Sequence, residues 1–158
     1  MINNSSSMDK DYNLWHCLSM THDAISRVRQ KELKPYNINL RQSATLTAIL
    51  ALGDGATPVA ISRWIIREIN TVSELFTRME RQGLVSKSKD LENKRQKNIL
   101  LTEKGLEAYN QSRTRGSVNK IMSCLSDEER QQLKACLKKL CDKALEELGI
   151  EHEVHFPL

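Results

Sequence analysis

Val72, Leu75, Phe76 and Met79 recur at helical spacing, and the segment they open runs on into two short apolar runs on either side of a basic tip. No other stretch constrains the fold as tightly. The segment reads TVSELFTRMERQGLV, then SKSKDLENKRQKNIL, then LTEKG. One face of the first helix is therefore buried, and the other carries Thr71, Ser73, Thr77, Arg78 and Arg81. Gly83 stands where a helix end needs a left-handed residue. Leu84-Val85 and Ile99-Leu100-Leu101 can then pair as strands around a tip holding Lys87, Lys89, Lys94, Arg95 and Lys97. A short amphipathic helix followed by a basic hairpin is a shape for gripping duplex DNA. The helix can enter the major groove while the hairpin lies over backbone or minor groove.

Charge supports that reading by its location. The chain of 158 residues carries a net charge of +4. Between positions 63 and 97 there are nine Lys or Arg against five Asp or Glu, a surplus of four, so the remainder balances to zero. A local positive patch favours a polyanion, although a charge run by itself is also what a solvated surface looks like. The length suits about one domain with a real core. Aromatic residues are 4% and charged residues 28% of the chain, which favours helices with solvated outer faces over a sheet-rich enzyme.

Cys17, Cys124, Cys136 and Cys141 show neither paired metal spacing nor a small-domain disulfide pattern. No apolar run approaches the ~18 residues needed to span a bilayer. The opening MINNSSSMDK lacks the apolar core of a signal peptide. A reducing cytoplasm is the expected compartment, with residues 1–9 a disordered lead-in to a single domain over 10–158.

The remaining elements follow from caps and stops. A first helix is expected over 10–34, stopped by Pro35, with Leu14, Leu18, Ile25 and Val28 as its buried stripe. Asn39 caps a second helix, with Leu40, Ala44, Thr47, Ala48 and Leu52 inward and Gly53-Asp54-Gly55 as its end. Pro58 suits the first turn of a third helix. A turn near 67–70 leads into the helix already described. Helix, turn, helix and hairpin is the order of a winged helix-turn-helix. Thr102 and Glu103 open a fifth helix to about residue 123. Ser126 and Glu129 form a capping box for a sixth, striped by Leu133, Leu137, Leu140, Ala144 and Leu148 and ended by Gly149. The expected fold class is mainly α with a small β-hairpin wing.

A reader over about 40–102 can nearly close its own core. The helices over 10–34 and 103–149 then carry apolar stripes without enough partners, and a homodimer would bury them. Packing of the three helices within one chain is the alternative.

The run TVSELFTRMERQGLV, the basic wing, ILLTEKG and the late LSDEERQQLKACLKKL together resemble the MarR family of bacterial winged-helix transcription regulators. The resemblance covers about residues 12–149. It implies a two-fold dimer, joined through the first, fifth and sixth helices, that binds a pseudo-palindromic operator on double-stranded DNA. It also implies repression relieved by a small-molecule or redox signal. Thr71, Ser73, Thr77 and Arg78 fall on the polar face of the family's recognition helix. Short hydroxyls there meet phosphates or base edges, and Arg78 and Arg81 have the reach for bidentate contact. Arg81 is equally well read as a rim charge. Arg95, beside Lys94, matches the family's wing arginine, which enters the minor groove. Two positions depart from the pattern: Asn93 stands where the family usually has Asp, and Glu74 where it often has a base.

The family's effector pocket implies candidates in Trp15, His16, His22 and Tyr36, each an apolar body with a polar tip; each is also readable as ordinary packing. Cys17 lies near where the peroxide-sensing branch keeps its reactive thiol, without that branch's tyrosines, and a small buried cysteine is the competing reading. His152 and His155 read as tail residues, and Cys136 and Cys141 as packing; no metal or cofactor is expected. An enzyme is disfavoured, because the chain has no phosphate-cradling glycine loop, nucleophile elbow or His-Glu metal helix. The alternative to an operator-binding regulator is a winged-helix protein–protein docking module without operator binding.

Overall fold

Asn39 opens the second helix through its side chain. Its oxygen accepts from the Gln42 amide at 3.0 Å, and Gln42 reaches back to the Asn39 amide at 2.9 Å. This capping box satisfies two end amides at once. Ser126 and Glu129 open the last helix in the same way. Thr57 and Thr102 cap with single bonds, from the amides of Ala60 and Gly105. The computed structural model describes residues 5–88 and 98–150. In chain order these form α1 (Ser5–Leu33), α2 (Leu40–Leu52), α3 (Pro58–Trp64), α4 (Ile69–Arg81), β1 (Val85–Lys87), β2 (Ile99–Leu101), α5 (Glu103–Ser112), α6 (Gly116–Met122) and α7 (Asp127–Glu147).

The strands pair antiparallel, with Val85 opposite Leu101 and Lys87 opposite Ile99. The Ile99 amide also donates to the Ala56 carbonyl at 2.8 Å, so the turn after α2 flanks β2 on its other side. Behind this hairpin lies one core. Leu33, Leu46, Ile61, Val72, Met79 and Ile99 are fully buried, with Phe76, Leu84, Ile38 and Ala108 around them. Each large apolar side chain removed from water there contributes roughly 1.5–3 kcal/mol. All four apolar residues expected on the inner face of α4 are buried.

Several expectations are corrected. The first helix begins at Ser5, ahead of the start expected at about residue 10. Once a helix is nucleated, each further turn costs little. Its apolar stripe is largely exposed within one chain, Leu14, Leu18 and Val28 among it, in keeping with the expected lack of partners there, while Arg29 and Leu33 near its end are buried. In α2 the inner face is Thr45, Leu46, Ala48 and Ile49, while Ala44 is exposed. That helix is apolar on several sides, so periodicity does not single out one face. In α7, Leu133 and Leu140 are exposed, as is Leu148 just past its end, and Leu145 is buried. The fifth helix expected to continue to residue 123 breaks after Ser112 and resumes at Gly116, with Arg115 in a left-handed conformation at φ 34°.

The break is held from α1. Arg29 donates to the carbonyl of Ser112, the last residue of α5. One turn later, Glu32 pairs with Arg29 at 2.5 Å. Glu32 accepts from the Ser117 amide at 3.2 Å and from the Ser117 hydroxyl. The Ser117 hydroxyl chiefly, against the opposing effect of burial and with help from Arg29, lowers the Glu32 carboxyl from 4.5 to about 2.

Candidate nucleic-acid interface

The recognition helix is set by what surrounds it. The turn from α3 to α4 passes through Ile66 at φ 52°, a left-handed position that a β-branched residue rarely takes. Two amides hold it, Ile66 to the Arg63 carbonyl at 3.1 Å and Arg67 to the Ser62 carbonyl at 2.9 Å. Glu68 precedes the helix without a side-chain cap. At the far end Gly83, at φ 72°, closes a Schellman motif: Leu84 donates to Met79 and Gly83 to Glu80, both at 2.9 Å. Both ends are therefore fixed, and the inner face is locked in the core.

The outer face shows the expected residues to solvent. Ser73, Thr77, Arg78 and Arg81 are exposed and Thr71 is half-buried. The Ser73 hydroxyl donates to the Ile69 carbonyl at 2.9 Å and the Thr77 hydroxyl to the Ser73 carbonyl at 3.1 Å. Each oxygen keeps lone pairs free to accept from a base amine. The Arg78 and Arg81 side chains have no hydrogen-bond or salt-bridge partner among the described residues. Glu74 is exposed on the same helix. Because α4 starts at Ile69, two residues before Thr71, Thr71 sits inside the first turn. Lys94 and Arg95, with Asn93 and the rest of the wing tip over 89–97, lie outside the described residues, as do His152 and His155.

Two features of the region escape sequence reasoning. Lys87 is not a free wing charge: it donates to Glu80 at 2.8 Å and ties β1 to the last turn of α4. Arg63 and Arg67 join Thr71 along an open cleft of about 730 Å³ beside the turn, lined as well by Leu148 and Ile150. The basic window in the sequence contained both arginines, but only the turn places them beside the helix start.

The four effector candidates do not converge within one chain. Trp15 and His22 share a shallow cleft of about 360 Å³ with Leu18 and Ser19. Tyr36 lines a separate cleft of about 170 Å³ with Gln82, Lys104 and Glu107. His16 is exposed and lines neither. Within one chain Cys17 and Cys136 are exposed and Cys141 is half-buried. Among the described residues no group of three His, Cys, Asp or Glu is placed to hold a metal ion. Among the same residues, no helix is long and apolar enough to cross a membrane.

A three-helix reader with a hairpin wing and an outward recognition helix defines a winged helix-turn-helix DNA-binding protein. Solved structures agree. The chain aligns to the organohalide-sensing RdhR-CbdbA1625 transcriptional regulator in its 2,4-dichlorophenol-bound form with a TM-score of 0.80 and 30% identity, covering 92% of this chain and 87% of that one. It aligns to MepR of S. aureus in complex with DNA at 0.74 and 29%, covering 81% and 96%. A cysteine-to-serine mutant of MarR from E. coli, bound to operator DNA, gives 0.75 at 20% identity over 84% and 96%, a likeness of fold. No family model and no curated protein sequence matches the chain. The chain belongs to the MarR family of winged-helix transcriptional regulators.

Proposed function

We propose that this protein is a cytoplasmic homodimer that reads a pseudo-palindromic operator and acts as a repressor released by a small molecule or a redox signal. One observation carries the reading: α4 is locked by its apolar face and both ends, yet it turns Thr77, Arg78 and Arg81 outward with no partner for either arginine among the described residues. Charged side chains left unpaired on a rigid helix suit phosphates and guanine edges. Thr71 and Ser73 would meet backbone near the helix start, and Lys94 and Arg95 would extend the contact from the wing. The MepR–DNA complex supports this use of the fold.

Dimerisation is supported by the apolar surface that one chain leaves in water. Tyr12, Leu14, Trp15 and Met20 on α1, Leu133 and Leu140 on α7 and Leu148 at its end are all exposed, Trp15 by 58% and Leu140 by 52%. Such stripes suit a second copy. Two recognition helices would then stand about one DNA turn, roughly 34 Å, apart. The effector is expected to engage Trp15, His16, His22 or Tyr36, with contributions from both protomers. The 2,4-dichlorophenol-bound relative supports a phenol-sized ligand as the first class to try. No catalytic step is assigned to the protein.

The test is DNA binding over a salt series, with the stretch upstream of the protein's own gene against a scrambled duplex. Tight binding to the first alone, by a dimer, is the expected result. Equal and steeply salt-dependent binding to both would reduce the protein to a non-specific polycation. Absence of binding at low salt would leave the docking module.

A further inference from the structure

The carboxylate of Glu32 stands where α1 bonds to both sides of the break in the helix that follows the wing. Arg29 holds the end of α5 through the Ser112 carbonyl, and Glu32 holds the start of α6 through the amide and hydroxyl of Ser117. The two are joined at 2.5 Å and little exposed, the Glu32 side chain by 19%. Both ends of the break are thus fixed to adjacent turns of one helix. That helix is itself anchored: Leu33 lies in the reader's core, whereas residues from Tyr12 to Met20 project with large apolar side chains exposed. Between the clamped ends, Arg115 adopts a left-handed conformation that an arginine does not prefer, with no side-chain cap to stabilise it. The conformation therefore persists through its surroundings, and Arg29 and Glu32 are the neighbours bonded across it.

We propose that Glu32, set between Arg29 and Ser117, is a positioning residue that fixes the angle at the α5–α6 break and through it the spacing of the two recognition helices in the dimer. The inference rests on the dimeric reading above. A reader whose contacts are intact but whose partner is misplaced binds one half-site normally and loses the gain from binding two.

The test uses the full chain and a duplex that the wild type selects from a randomised pool, compared with the same duplex cut to one half-site. Glu32→Ala is expected to weaken two-site binding by about tenfold or more while changing half-site binding less than about twofold. It should also discriminate less than the wild type against one base pair inserted between the half-sites. Ser117→Ala, which removes a single hydroxyl, should shift both readouts in the same direction and covers the case in which Glu32→Ala fails to fold. Glu32→Gln, which keeps an acceptor, should restore part of the loss. A spin label introduced at Ser86 in each protomer reads the spacing without DNA: one narrow distance in the wild type, a broad distribution in Glu32→Ala and Ser117→Ala. Equal losses on both duplexes, or a narrow wild-type distance retained in the variants, would overturn the proposal. A wild type that keeps one narrow distance, broadened by the variants, yet binds selected and scrambled duplexes alike would sink the operator reading and leave the role of Glu32 standing.

Discussion

Gly105 lies so close to Leu84 that a Cβ on it would stand 1.9 Å from the Leu84 carbonyl oxygen. The first turn of α5 therefore seats on the chain leaving the recognition helix, and Thr102 fixes the contact by donating to the Gly83 carbonyl at 2.6 Å. The obstacle is backbone, so it does not rotate away. Gly105→Ala should destabilise the protein by roughly 2–3 kcal/mol, as overpacking of a closed contact does. Thermal unfolding followed by circular dichroism should show the midpoint lowered by about 4–12 °C. An unchanged midpoint would mean that the contact yields to the added methyl group.

Acid should find Glu32. Its carboxyl ionises at about 2 in the folded protein against an ordinary 4.5, so the unfolded chain binds the proton more readily. The stabilisation is complete above about 4.5 and is lost as pH falls from there towards about 2. Partial exposure reduces it to on the order of 2 kcal/mol. Glu32→Gln should be less stable than the wild type at neutral pH, and the gap should close as the pH approaches 2. Denaturant titrations at pH 7 and pH 3 measure it; a gap independent of pH would refute the assignment.

Thr77→Ala and Arg78→Ala should separate base reading from backbone attraction. The Thr77 change is expected to cost about 1–3 kcal/mol on the selected duplex and little on a scrambled one. If Arg78 meets a phosphate, its removal weakens both duplexes and flattens the salt slope by about one. Arg95→Ala should behave as the phosphate case does. Equal losses on both duplexes for Thr77→Ala would argue against base reading.

Charging the exposed stripe should separate the protomers. Leu140→Glu, at a site already half in water, should leave the helix content of the isolated chain intact while placing unpaired charge in the interface. Sedimentation should then show a monomer at concentrations where the wild type is a dimer. A dimer that persists would place the interface elsewhere.

Cys17, whose thiol is exposed within one chain, gives the redox reading a direct test. If its thiol is the sensor, Cys17→Ser releases no DNA on peroxide treatment while binding normally beforehand. Release at the wild-type dose would exclude Cys17 as the sensor.

The recognition helix was legible because Val72, Leu75, Phe76 and Met79 form a single stripe against polar residues, leaving one orientation with a buried apolar face. Gly83 and the Ser126–Glu129 box were legible because end chemistry is local. The inner face of α2 was not, since Leu46 and Ile49 compete with Leu40, Ala44 and Leu50 on a helix apolar nearly all round. Nor was the break before α6: Gly116 alone does not announce it, and the partners that hold it, Arg29 and Glu32, lie more than eighty residues earlier. The outward site residues could be placed on a face from sequence, whereas the pairing of Lys87 with Glu80 needed the register of the wing.

Leu33 closes α1 with no exposed surface, and Ile38 and Ala108 join it in a core that extends past both edges of the segment from 40 to 102. A gene fusion carrying only that segment to another scaffold would bring the recognition surface and leave a void at its back. Descendants of such a chain would therefore inherit the reader and its flanking helices as one unit. New target sequences would arise by substitution along α4 rather than by exchange of cassettes.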